Sequence, residues 1–184
     1  MALTRLVIEG FGQIELNNVA WRRDGRVEAQ CGLDAEDFAS VPAENGMLLA
    51  VDAANRVVKF YNADEDLPLA INYSSEHLYD ERHNALKDFN LKPGQLYPRM
   101  GYPAVGDKFT TNCLCYDTTE FEDEDALFDA LDACHETPVY AGVSTIGAWK
   151  LSATKPAAGV VAKVVKSYTM PDGQYGAKLQ IFAC

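Results

Sequence analysis

The segment from Gly159 to Ala183 constrains the fold most. Two β-like runs, Gly159 to Met170 and Tyr175 to Ala183, flank Pro171-Asp172-Gly173-Gln174. Proline, an acceptor aspartate and a glycine in that order predict a tight turn, hence an antiparallel hairpin. In the second run Leu179, Ile181 and Ala183 alternate with Lys178, Gln180 and Phe182. One face is therefore apolar and must be covered by something else.

The same kind of run recurs upstream. Leu6 and Ile8, then Ile14 and Leu16, alternate with other residues around Gly10 and Gly12. Met47 to Val51 and Val57 to Tyr61 flank Asp52 to Arg56 and read as a second hairpin. Leu69 to Tyr73 is a further strand. Lys108 to Tyr116 reads as one strand with Phe109, Thr111, Cys113 and Cys115 on a single face. Pro138 to Val143 and Ile146 to Leu151 add two short runs. Between Leu91 and Gly106 three prolines and three glycines predict an irregular connection.

One helix is clear. Thr119 with Glu122 has the form of a capping box, and Glu122 to Asp125 place negative charge in the first turn, where the helix dipole favours it. Leu127, Phe128, Leu131 and Cys134 form one apolar stripe, which ends near His135 ahead of Pro138. A weaker helical pattern spans Ser75 to Phe89. The reading is a mainly β chain, an antiparallel barrel or sandwich with one or two short α-helices. It predicts a single domain over residues 1–184, with residues 1–16 as a candidate extended arm whose glycines allow bending and which could add a strand to a neighbour's sheet.

The 184 residues are 48% apolar and 23% charged, the composition of a globular domain. A net charge of −11 argues against a broad phosphate-binding surface, and no apolar run reaches the roughly 20 residues of a membrane-spanning helix. The first 16 residues are broken by charge and glycine too early for a signal-peptide core. Charge is unevenly spread. From Ala148 onward there are five lysines and one aspartate, whereas the preceding 147 residues hold 11 basic and 26 acidic side chains. Such asymmetry steers copies of a protein toward one another or toward a partner. Lys163 and Lys166, in the final strands, are the candidates for a contact with the acidic helix of a neighbouring molecule.

The chemistry-bearing residues are few. Cys113, Cys115, Cys134 and His135 contain the elements of a zinc set, but a Cys-x-Cys pair inside a strand is not the turn-borne spacing of structural zinc. They read as core or interface thiols. His77, His83 and His135 are the only imidazoles, and none stands in a nucleophile arrangement. No Walker lysine, nucleophile elbow or dinucleotide fingerprint is present; Gly10-Phe11-Gly12 serves a turn. Glu120 to Asp125 lacks the ligand spacing of a calcium loop. The aromatics from Leu96 to Pro103 either meet a partner or fold onto the sheet. Five cysteines, Cys31, Cys113, Cys115, Cys134 and Cys184, leave one without a partner inside the chain, so Cys184 or Cys31 is a candidate for an intermolecular disulfide. No catalytic, cofactor-binding or metal-ligating residue is assigned.

Several segments share an ordering of motifs with a known class. They are Val41 to Asp52, Val57 to Phe60, Tyr73 to Asp80, Pro98 to Asn112 and Ala162 to Ile181. In this order they resemble tailed double-stranded DNA bacteriophage virion structural proteins, most of all the small β-rich capsid decoration, or cement, proteins. The resemblance implies a non-enzymatic protein that binds the outside of the head, between hexamers and pentamers, and locks the expanded shell against DNA pressure. It implies the major capsid protein and neighbouring copies as partners, a homo-oligomer on the particle, no direct nucleic acid, no membrane, no cofactor, and a place on the virion after assembly in the host cytoplasm. A phage tail or connector structural protein is the alternative, with a small thiol- or zinc-dependent protein behind it.

Overall fold

Alternating and apolar runs become short strands, and the sheets they form are set by which faces must be buried. A computed structural model describes residues 3–74 and 86–184. In chain order, β1 (Leu3–Arg5) and β2 (Ile14–Asn18) precede α1 (Ala20–Asp24), β3 (Val27–Glu28) and β4 (Gly32–Leu33). Next come β5 (Ala43–Glu44), β6 (Leu48–Asp52), β7 (Val57–Lys59) and β8 (Leu69–Asn72). Further along, β9 (Asn90–Leu91) and β10 (Met100–Gly101) lead to β11 (Lys108–Thr111) and β12 (Leu114–Asp117). Then follow α2 (Glu124–Asp132), β13 (Tyr140–Gly142), β14 (Trp149–Ser152), β15 (Val161–Thr169) and β16 (Tyr175–Ala183).

The chain is mainly β, as the alternation predicts, and it adopts sandwich-like sheets rather than a closed barrel. An eight-stranded sheet runs β1-β12-β14-β13-β15-β16-β11-β2, and a six-stranded sheet runs β3-β10-β8-β6-β7-β4. A small pair, β5 and β9, stands apart. Two apolar cores result. One is lined by Phe109, Trp149, Leu151, Leu179 and Ile181 with Leu127 and Leu131 of α2. The other holds Met47, Leu49, Val51, Val58 and Met100 with Cys113 and Cys115. Strand β6 lies between them: Leu48 enters the first core, Leu49 and Val51 the second, and all five of its residues are buried. A strand covered on both sides reads as a continuous apolar run, which Met47 to Val51 is.

Several local expectations are corrected. Lys108 to Tyr116 is two strands, because the side chains between them take over the backbone. Thr111 Oγ1 donates to Gln13 O (2.6 Å) and accepts from Cys113 N (3.0 Å), while Asn112 Oδ1 accepts from Gln13 N (2.7 Å). The break reverses the faces, so Phe109, Leu114 and Tyr116 share the first core while Cys113 and Cys115 face the second. The helix begins at Glu124, not Thr119. Asp117 Oδ1 accepts both the amide (3.0 Å) and the hydroxyl (2.8 Å) of Thr119, and Asp123 is the cap that accepts from Ala126 N. The expected irregular stretch contributes β10, whose Met100 is fully buried, and the first residue of that stretch closes β9. The helix α1 was not visible in the sequence pattern; it buries Trp21 flat against Gly101, where a Cβ would lie 2.4 Å from the indole nitrogen. Most of the weaker helical pattern at Ser75 to Phe89 lies outside the described residues, with His77 and His83; Leu86–Asp88 form a single 3-10 turn.

The candidate arm carries two strands of the chain's own sheet. β1 pairs with β12 and β2 with β11, so the two strands are the two edges of the chain's own sheet. The loop between them is tied down donor by donor. Val7 N donates to Glu124 Oε1 (2.5 Å), Glu9 N to Gln174 Oε1 (2.6 Å), Phe11 N to Lys87 O (2.7 Å) and Gly12 N to Glu44 Oε2 (2.7 Å). Arg5 adds an ion pair to Glu44 at 2.8 Å. These bonds hold the segment against the rest of the chain.

Candidate interaction face

The most developed surface is the outer side of the eight-stranded sheet. Along β16 Leu179 and Ile181 are buried in the first core and Lys178 and Gln180 point the other way, while Phe182, the extra residue at the register shift opposite Val161/Ala162, is exposed. The neighbouring strand does not alternate strictly, and that irregularity builds the face. Lys163 and Lys166 are an odd number of residues apart, which in a regular strand puts them on opposite sides. A bulge between Val164 and Lys166 restores them to one side: Lys163 lies opposite Gln180, and Lys166 opposite Lys178. The same bulge leaves Val165 exposed.

The face extends across both flanks. Lys108 of β11 pairs with Gln180, and Tyr140 of β13 pairs with Lys163, giving one cross-strand row from Lys108 to Tyr140. Lys155 Nζ sits 4.6 Å from the centre of the Phe182 ring, and Lys166 Nζ 5.4 Å from that of Tyr168. Phe182 is 52% exposed. Lys108, Lys163 and Lys178 have no ion-pair partner among the described residues. Lys150 belongs to a different grouping, with Nζ 3.6 Å from Asp117 Oδ2 and 4.0 Å from Glu120 Oε1. The hydrogen bonds from Thr119, helped by Lys150, hold the Asp117 carboxyl below the ordinary carboxylate range.

On the opposite flank α2 presents acid. Leu127 and Leu131 turn into the first core, and Asp125 and Asp129, one turn apart, are exposed on the other side with Glu122 just ahead of the helix. Asp132 accepts from Tyr175 Oη at 2.9 Å. Burial and that aspartate push the tyrosine up to about 12, whereas Asp132 is held low by its hydrogen bonds.

The thiols are not brought together. Cys113 and Cys115 face the second core, Cys134 the first, and His135 is exposed. Desolvation pushes the Cys113 thiol up to about 12 and Cys115 up to about 11. Among the described residues, no three histidine, cysteine or acidic side chains converge on a metal-sized point. All five cysteines are free, and only Cys184 is exposed; its Sγ lies 3.7 Å from Pro103 O. Cys31 is buried, which removes it as a candidate for a link between chains. Of the aromatic stretch after Leu96, Tyr97 is exposed while Met100 is buried, so that segment both folds onto the sheet and leaves an edge outside. The acidic run at 120–125 is used locally: Glu120 accepts from Ala153 N, Asp123 caps α2 and Glu124 holds Val7.

The lysine positions were legible in the sequence, but their convergence was not, because it depends on one bulge. Comparison with protein families, with curated proteins and with solved structures finds no match for this chain.

Proposed function

We propose that the chain is a non-enzymatic structural protein of a tailed-phage particle, a decoration protein that binds the outer shell of the head and stabilises it against DNA pressure. Its partners in this reading are the major capsid protein and neighbouring copies of itself. It is assembled onto the head in the host cytoplasm and stays on the virion, with no cofactor, membrane or nucleic acid involved. The observation that carries the reading is the outer face of β11, β16, β15 and β13: a continuous cationic and aromatic surface on a chain of net charge −11.

A protein that works by many identical weak contacts needs a stiff frame and a patch with an apolar centre and a charged rim. Two cores sharing β6 supply the first, and Phe182 with Val165 among lysines supply the second. The motif order that resembles phage proteins falls on the same framework: Val41 to Asp52 and Val57 to Phe60 span β5 to β7, and Ala162 to Ile181 spans most of the β15–β16 hairpin.

The test is location. Antibody to the purified chain, gold-labelled and imaged on intact particles, should decorate the head evenly. Label confined to the tail or the neck replaces the decoration reading with the tail or connector one. Particles without label overturn both.

A further inference from the structure

We propose that the lysine face is the docking surface for a second copy of this chain, which it meets through the acidic flank around α2. The argument begins with a cost. Lys166 and Lys178 stand directly opposite each other across two strands, an arrangement that repels. Among the described residues no acidic side chain forms an ion pair with Lys108, Lys163 or Lys178 to relieve it. The bulge at Val164/Lys166 makes matters worse for the isolated chain, since it brings Lys163 to the same side and exposes Val165. A self-repelling patch with an exposed apolar centre is stabilised when an acidic surface covers it.

The same chain carries such a surface. Glu122, Asp125 and Asp129 are exposed and have no basic partner among the described residues. Asp125 and Asp129 belong to α2 and Glu122 lies just ahead of it; α2 packs on β15 from the side of the first core, so the two patches lie on different sides of one molecule. Contact between them is heterologous, head to tail, and successive copies close into a ring or continue as an open chain. Whole-molecule repulsion from the net charge is screened beyond about 8 Å at about 0.15 M salt, whereas charges in contact are not. The inference does not depend on a virion location.

The experiment is sedimentation velocity on the full chain. At about 0.15 M salt the chain should sediment as a concentration-dependent oligomer, and at about 1 M salt association should fall at least about tenfold. A variant with Lys163→Glu, Lys166→Glu and Lys178→Glu should be monomeric, and so should one with Glu122→Lys, Asp125→Lys and Asp129→Lys. Mixed in equal amounts, the two should associate again, because each now carries the complement of the other. A wild-type monomer at low salt overturns the proposal. So does self-association of either variant at wild-type strength, or failure of the mixture while both variants keep the wild-type circular dichroism spectrum. Salt-sensitive binding of duplex DNA, lost in the lysine variant and without self-association of the wild type, overturns it in favour of a nucleic-acid face.

Discussion

The β15–β16 hairpin and the junction around Gly46 hold the same molecule together by opposite means. The hairpin is a ladder: nine residues on each strand, one apolar side in the first core and one polar side outside. Its stability comes from burying Val164, Leu179 and Ile181, about 1.5–3 kcal/mol each, with backbone pairing along both strands that shifts register at Val161/Ala162 and Val164/Lys166. The junction is a knot of side chains on backbone. Trp149 Nε1 donates to Gly46 O (2.9 Å), Gly46 N to Asn72 O (2.8 Å), Asn72 Nδ2 to Glu44 O (2.9 Å) and Thr111 Oγ1 to Gln13 O. A ladder loses one rung at a time, whereas buried polar groups in a knot are left unpaired together when one is displaced.

The largest expected effect follows from the tie between the N-terminal strands and this junction. Removing residues 1–16 takes away both sheet edges, the buried Leu6 and Ile14, and the partners of Glu44, Asn112 and Thr111. The truncated chain should show no cooperative unfolding transition in urea. A truncated chain that unfolds cooperatively, near the wild-type midpoint, would favour the arm reading and make the hairpin sufficient.

Two glycines sharpen the comparison because both have positive φ. Gly46 has φ +88°, and a Cβ there lies 2.4 Å from Thr111 Oγ1; Gly173 in the hairpin turn has φ +89° with open space around it. Gly173→Ala meets only the backbone penalty, about 1–2 kcal/mol. Gly46→Ala meets that and displaces a buried hydroxyl bonded at both ends, so its loss should exceed the other by about 1–3 kcal/mol. Chemical denaturation measures both, and equal losses would mean that the junction yields without breaking its bonds.

Acid separates the regions by protonation. Asp117, at the end of β12, has its pKa depressed chiefly by the Thr119 amide and hydroxyl. A carboxyl lowered in the folded state stabilises fully above its unfolded value, near 3.9, and that contribution disappears as pH falls through the folded value. Stability should therefore drop below about pH 4, and Asp117→Asn should reduce the drop. The acid limb of a thermal-unfolding profile shows it; an unchanged limb in the variant assigns the loss to the other lowered carboxyls, Asp52, Glu65, Asp132 and Asp172.

Thiol reactivity reports the same division without destabilising anything. Cys184 should react with a chromogenic disulfide reagent within minutes at neutral pH, and the four buried thiols only after unfolding. A second fast thiol at Cys113 or Cys115 would show that the second core opens readily.

The sequence showed the hairpin because both its signals are local: a period of two and a turn with Asp-Gly. It showed β6 as apolar, though not that two cores meet there, since burial on both faces leaves no alternation to read. Strands of two residues such as β3 and β10 have no period at all, and Gly101 is explained only once Trp21 lies across it. The helix start was misplaced because Thr119 and Asp123 are both good caps; what decides is that Asp117 already holds Thr119. The interaction face was half legible. Lysines 163 and 166 were noted, but strict alternation separates them, and a bulge is a tertiary event.

The smallest expected effect probes that face directly. Lys178 sits opposite Lys166 and has no ion pair or ring contact among the described residues. Opposed like charges on adjacent strands cost about 0.2–1 kcal/mol, so Lys178→Gln, which keeps length and polarity, should stabilise the isolated chain by a similar amount at low salt. Screening should remove most of the gain at about 1 M salt. Lys155→Gln provides the opposite sign, because Lys155 is over the Phe182 ring and loses a favourable contact of about 0.5–1 kcal/mol. Thermal unfolding of dilute protein, at concentrations below self-association, compares the two. If Lys178→Gln destabilises at low salt, the lysine pair is not repelling, and the cost from which the face was argued does not exist.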